Sequence, residues 1–217
     1  MIVLAIDGAL GAFSGAVVDA AGAPRSVSVA PNLALEQGLG AVRDLLEKAG
    51  TKPDAIDRIA VGIGPGSFTG TRIAISFAKS LAQGWRRPLI GVSSFDALEE
   101  GIARDGSVPL LTVVRGRAGI VSVRLRIAER ELRASGSPSA VLTELGDALG
   151  VGTLQVAGYA EDVRSELGER GIKVQLARPQ TTPAALAIAR IAMRREPLSS
   201  LHELRADYGE ISPARSN

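Results

Sequence analysis

VGIGPGSFTGTRIAISFAKSLAQG, residues 61–84, decides how this chain is read. An apolar strand-like segment, 57–63, runs into Gly64-Pro65-Gly66, then into hydroxyl residues, then into a helical pattern over 69–84. Free N–H groups and the dipole at a helix start attract anions, so the stretch invites a phosphate-loop reading. It lacks the Gly-Lys-Ser/Thr ending that places a lysine on a terminal phosphate, and only two glycines sit close together before Ser67. The plainer reading is structural. Gly64 and Gly66 permit a tight turn, Pro65 stiffens it, and Ser67 or Thr69 caps the helix.

The helix carries two stripes at i, i+4, i+8 spacing. Ile73, Phe77 and Leu81 form one, expected to face the protein's own sheet. Gly70, Ala74 and Ala78 form the other, a groove of small residues that lets a second helix approach closely. That second helix is either residues 33–49 of the same chain or a helix of a partner. Residues 33–49 themselves carry an apolar stripe of Leu35, Leu39, Val42 and Leu46, with Asn32 as the expected N-cap and Gly50 past the end.

Outward from this stretch, 2–7, 12–18 and 26–30 read as a meander of three strands. Strands at 57–63 and 88–92 alternate with helices at 33–49, 69–84 and 95–103. The second half repeats the order. Strands at 110–114, 119–127 and 131–134 precede a helix at 139–149, a strand at 153–157, a helix at 160–170 and a strand at 172–177. A helix at 183–195 and a polar tail close the chain. The pattern predicts an α/β protein of two related lobes, each a mixed β-sheet flanked by helices, divided as 1–104 and 105–217 with a linker at 104–109.

With 217 residues, 46% hydrophobic and 22% charged, the composition is that of a folded globular chain. Aromatics make up only 3%, so small aliphatic residues must fill the cores. A net charge of +2 is too balanced to demand a nucleic-acid partner. The absence of cysteine excludes disulfides, thiolate metal sites and a cysteine nucleophile, and one histidine cannot build a two-histidine zinc site. No apolar run has the length of a membrane helix and no basic leader opens the chain, so a cytoplasmic protein without membrane contact is expected.

Residues 61–98 resemble the signature of the bacterial TsaB (YeaZ) family, carried by Gly64-Pro-Gly-Ser-Phe-Thr-Gly70, Arg72 and Gly91-Val-Ser-Ser94. The resemblance implies a two-lobed actin-like (ribonuclease H-like) fold. It implies a non-catalytic partner of TsaD, the transferase that makes N6-threonylcarbamoyladenosine beside the anticodon of tRNAs reading codons that start with A. TsaE, a P-loop ATPase, is implied as a further partner, with tRNA met only through the complex. The family's members pair through the two helices after the first sheet, here 33–49 and 69–84, and a homodimer is expected for the chain alone. The partner-binding residues are then Leu35, Leu39, Val42, Leu46, Gly70, Arg72, Ile73, Ala74, Phe77, Ala78 and Leu81. ATP or ADP is expected only at the interface of the complex, with Asp7 and Gly8 a vestigial nucleotide turn.

The chain departs from the family pattern at Ala9 in the first turn, at Leu33 and Ala34 where a Glu-His pair is usual, and at Arg115 and Ile120 in the second half. Two enzymatic alternatives stand beside the partner reading. One is a nucleotide-binding actin-like enzyme using Asp7-Gly8 and the Gly-Pro-Gly loop. The other is a peptidase, which would need a nucleophile among Ser67, Ser93 and Ser94; the single His202 lies in the polar tail. Arg86, Arg87, Arg190, Arg194 and Arg195 are basic enough to meet tRNA phosphates, although no aromatic residues are interleaved for base stacking.

Overall fold

The computed structural model describes residues 1–20, 24–103, 108–150, 152–177 and 183–209. Two units form within it, and each contains one five-stranded sheet.

In the first unit, β1 (Ile2–Asp7), β2 (Phe13–Asp19) and β3 (Arg25–Val29) form the expected antiparallel meander. The parallel strands β4 (Arg58–Gly62) and β5 (Leu89–Val92) extend it on the other side of β1, giving the order β3-β2-β1-β4-β5. The central strands are apolar at nearly every position because both faces are covered. Leu4, Ile6, Ile59 and Val61 point toward α1 (Ala34–Lys48) and α2 (Phe68–Trp85). Val3, Ala5, Ala60 and Ile90 point the other way, onto α6 (Ala184–Ala192) beside α3 (Ser94–Glu99).

The second unit repeats the plan. β6 (Leu110–Arg115), β7 (Val121–Ile127) and β8 (Arg130–Gly136) are antiparallel, and β9 (Thr153–Gly158) and β10 (Lys173–Leu176) add in parallel. The order β10-β9-β6-β7-β8 is the first sheet's order with each strand replaced by its counterpart. Helices α4 (Pro138–Leu145) and α5 (Arg164–Glu169) close one face, packing Leu142 and Leu167 into the cluster that holds Val113 and Val123 of the sheet.

Two expectations need correction here. The division at 104/105 misses the return of the chain, because residues from 183 to Asp207 belong with the first sheet. Burial of a helix that is apolar apart from the exposed Arg190 decides this: Ala185, Ile188, Ala189 and Ala192 are enclosed against β1 and β2. The proposed linker falls mainly on 104–107, outside the described residues. Asn32 does not cap α1; it lies in a short 3-10 turn, Pro31–Leu33, and Leu33 occupies the cap position without a side-chain bond.

The polar tail is also more than a tail. Leu204 is 4% exposed and lies in the core beneath α2, with Leu198 and Leu201 packed against the same cluster. The Leu198 N–H donates to the Leu89 carbonyl (3.0 Å), and Arg195 Nη1 donates to the Gly91 carbonyl (3.2 Å). These bonds satisfy the free edge of β5.

Candidate functional site

The first turn and the Gly-Pro-Gly loop meet at the ends of β1 and β4. Ser67 caps α2, its Oγ accepting the Gly70 N–H at 3.2 Å, while Thr69 is exposed and does not cap. The Ser67 N–H donates to the Ala9 carbonyl (2.9 Å) and the Thr71 N–H to the Ser67 carbonyl (2.9 Å). A Cβ on Gly8 would collide with the Gly70 carbonyl, one on Gly70 with the Gly8 carbonyl, and one on Gly66 with the Ala9 carbonyl. The loop therefore lies directly on the turn after β1, backbone to backbone. Gly64 and Gly66 have φ of 95° and 148°, which only glycine takes without strain. The Gly64 carbonyl accepts the Ser94 N–H (2.7 Å), and the Ile63 carbonyl accepts the Asp207 N–H (2.7 Å).

Asp7 ends β1 and has no exposed surface. Its Oδ2 accepts the Leu10 N–H at 3.0 Å, the turn-bonding role that the sequence gives a strand-end aspartate. Its Oδ1 is enclosed without a hydrogen-bond partner, and a Cβ on Gly62 would collide with it. Burial raises the carboxyl pKa to about 6, with the N–H groups of Leu10, Ala9 and Gly8 pulling the other way. A phosphate would need unclaimed N–H groups and room beside them. Here the Ala9 carbonyl takes the Ser67 N–H, and glycine backbones fill the space. The turn as built does not fit a nucleotide phosphate, nor does a wholly enclosed Asp7 reach a hydrated metal.

The serines considered as nucleophiles are also engaged or enclosed. Ser67 and Ser93 accept helix-cap N–H bonds, Ser93 from Asp96 at 3.1 Å, and Ser94 is buried. His202 is exposed in a short turn.

The helix faces are the reverse of the expected ones. Thr71, Ala74, Ala78 and Ala82 are buried against the sheet, with Ala74 and Ala78 fully enclosed. Gly70 is spent on the Gly8 contact, so Gly70, Ala74 and Ala78 present no groove to a partner. Small residues face inward because a helix start pressed against β1 backbone leaves no room for larger ones. Ile73, Phe77 and Leu81 are half-buried on the flank toward α1, where Phe77 packs edge-to-face on Phe13 with ring centroids 6.0 Å apart. On α1 the inward row is Ala34, Gly38, Val42, Leu45 and Leu46. The expected stripe splits: Val42 and Leu46 are core, whereas Leu35 and Leu39 are 68% and 45% exposed.

The surface left by these two helices is apolar. Phe68, at the first position of α2, is 55% exposed, and the Arg72 guanidinium lies 5.2 Å from its ring centroid. Sequence reasoning passed over Phe68; its place directly after the cap and four residues before an arginine was the available signal. Farther along, Leu39, Leu46, Pro53, Leu81 and Trp85 line a groove of about 600 Å³ rimmed by Arg43 and Glu47.

The departures have local explanations. Ala34 is buried at 1% exposure, a place for an apolar residue. Arg115 pairs with Asp162 (2.8 and 2.7 Å) and Glu161 (3.0 Å) and stacks over Tyr159. Ile120 closes the β6–β7 hairpin through its N–H to the Arg117 carbonyl, 2.9 Å. Of the basic residues, Arg194 pairs with Glu100 and Arg195 with Asp96, while Arg87 donates to the Asp54 carbonyl. Among the described residues no group of histidine, aspartate and glutamate is arranged to hold a metal, and no helix is long and apolar enough to cross a membrane.

Comparison with known proteins finds relatives in sequence and in fold. The family model described as "TsaD: tRNA N6-adenosine threonylcarbamoyltransferase" matches residues 29–185. The tRNA threonylcarbamoyladenosine biosynthesis protein TsaB of Escherichia coli K12 is 37% identical over 122 residues, 56% of this chain and 53% of that protein. The chain thus spans about half the length of this curated relative. The structure of YeaZ from Pseudomonas aeruginosa superposes with a TM-score of 0.69 at 27% identity, covering 95% of this chain and 99% of that one. A Bacteroides thetaiotaomicron protein described as having an actin-like ATPase fold superposes at 0.56 and 10% identity, covering 87% and 95%, a likeness of fold alone.

Proposed function

Because this chain belongs to the TsaB (YeaZ) family, within the wider family whose model describes TsaD, we propose that it is a non-catalytic partner of a TsaD-type threonylcarbamoyl transferase. In this role it supports formation of N6-threonylcarbamoyladenosine on tRNAs that read codons starting with A, in the cytoplasm. The observation that carries the reading is the exposed apolar face of α1 and α2, with Leu35, Leu39 and Phe68 at its surface. Side chains of this size on neighbouring helices mark a surface that another protein covers. The partner-binding set is accordingly Leu35, Leu39, Phe68, Arg72 and the half-buried Ile73, Phe77 and Leu81; Val42, Leu46, Ala74 and Ala78 support it from the core.

The filled first turn favours a scaffold over a nucleotide-binding enzyme, so ATP or ADP would be held by the partner side of the complex. A TsaE-type ATPase joins the same assembly, and tRNA is met through it. In the absence of its partner, the chain covers the α1–α2 face by forming a homodimer. Co-purification with a TsaD-type transferase, with Leu39→Arg as the probe of the face, tests the docking. A tRNA modification assay with and without this chain tests the role. Retention of the complex by Leu39→Arg, or full modification without the chain, would overturn the reading.

A further inference from the structure

Phe68 and Arg72 begin a row along the outer side of α2 at i, i+4 spacing. The row continues through Ser76, Ser80 and Gly84, all exposed. It therefore carries a single formal charge, and that charge is positive. The helix's other cation, Lys79, is directed elsewhere, its Nζ donating to the Leu204 carbonyl at 3.2 Å. Among the described residues no carboxylate pairs with Arg72; its partner is the Phe68 ring. The neighbouring helix offers Leu35 and Leu39.

A protein that covers this face takes the Arg72 guanidinium out of water. Desolvating an unpaired guanidinium costs more than stacking on one exposed ring returns. Placed beside the Phe68 ring, its N–H edges match a carboxylate through two parallel hydrogen bonds. Resting on the docking reading above, we infer that the partner segment seated on α1–α2 carries an aspartate or glutamate placed on Arg72. This pair fixes the register of docking along a row of α2 that is otherwise apolar and hydroxyl-lined, away from the Arg43 and Glu47 rim farther along α1. Ser76, Ser80 and Gly84 let the segment lie close to α2 but do not orient it.

The test titrates the labelled full chain with a purified TsaD-type transferase of the same organism, at about 50 mM and about 300 mM salt. Arg72→Glu weakens binding by about tenfold or more, because it sets two carboxylates against each other. Arg72→Lys keeps the charge, loses the two-pronged geometry, and weakens binding by about threefold. Arg72→Ala flattens the salt dependence of the affinity. Thermal melts of all three match the unaltered chain, since the side chain is exposed. Binding of Arg72→Glu within about twofold of the unaltered chain, alongside loss of binding by Leu39→Arg, overturns this inference and leaves the docking face standing. Undiminished binding by Leu39→Arg sinks the docking reading and this inference with it.

Discussion

A Cβ on Gly70 would strike the Gly8 carbonyl and one on Gly8 the Gly70 carbonyl, so neither residue has room for a side chain. This contact joins the turn after β1 to the first turn of α2, and it answers what Gly-Pro-Gly-Ser-Phe-Thr-Gly does in this chain. A loop that grips phosphate keeps its N–H groups open. Here the Ser67 N–H goes to the Ala9 carbonyl and the Gly70 N–H to Ser67 Oγ. The loop sets the position of α2 instead, and with it the placement of Phe68 and Arg72.

The same substitution should have opposite effects at the two ends of α2. At Gly84 an added Cβ meets nothing within 4 Å, so Gly84→Ala gains helix propensity, about 0.8–1 kcal/mol. At Gly70 the gain is similar, but the new methyl strikes the Gly8 backbone, which cannot swing aside as a side chain would. Overpacking of this kind costs about 1–3 kcal/mol, and a rigid neighbour puts it near the upper end. Urea unfolding of both variants measures the difference. A Gly70→Ala chain as stable as Gly84→Ala would show that the contact is not tight.

Asp7 should make the protein more stable in mild acid than at neutral pH. The unfolded carboxyl titrates near 3.8 and the folded one near 6, so between these values the folded state holds more protons. The carboxyl imposes no penalty below the lower value. Stability then falls as pH rises, and the loss levels off above about pH 6 at about 3 kcal/mol. Asp7→Asn abolishes the titration but encloses an amide without a partner, which returns part of the loss. The stability of Asp7→Asn relative to the unaltered chain therefore rises from pH 4 to pH 7, measured by denaturation at fixed salt. A constant difference across that range would remove the buried charge as the cause.

The sequence made the strands, their order of appearance and the repeated plan legible, because β-branched runs bounded by glycine turns are local signals. It narrowed the cap of α2 to Ser67 or Thr69, of which Ser67 is the one that caps. The helix faces were misread for a physical reason. Two stripes four residues apart have the same period whichever faces inward, and residue size was taken to mark the core. On α2 the backbone approach at Gly8 reverses that logic, placing Ala74 and Ala78 inside and leaving Phe77 to fill the space beside α1. Leu35 and Leu39 share the period of Val42 and Leu46, so nothing local distinguishes exposed from buried leucines. Arg115 stood out only as a departure from the family pattern; its pairing with Asp162 is a contact between residues 47 apart in sequence that no single window contains.

The return of the C-terminal segment to the first sheet was the least legible feature, and it gives a direct prediction. Residues 196–209 look polar in sequence, yet Leu204 is in the core beneath α2 and Lys79 Nζ donates to its carbonyl. Leu204→Ala should therefore cost about 2–5 kcal/mol, the range for truncating a buried leucine. Lys79→Met, which removes only a partly exposed hydrogen bond to that carbonyl, should cost about 1 kcal/mol. Hydrogen exchange separates this from a general loss of stability. In Leu204→Ala the amides of Leu198 and Asp207 lose protection before those of β1 and β4, because these donors lie on the segment that Leu204 anchors and leave the Leu89 and Ile63 carbonyls of the sheet when it lifts. A Leu204→Ala variant with unchanged melting and unchanged protection at Leu198 and Asp207 would show that the segment does not anchor there.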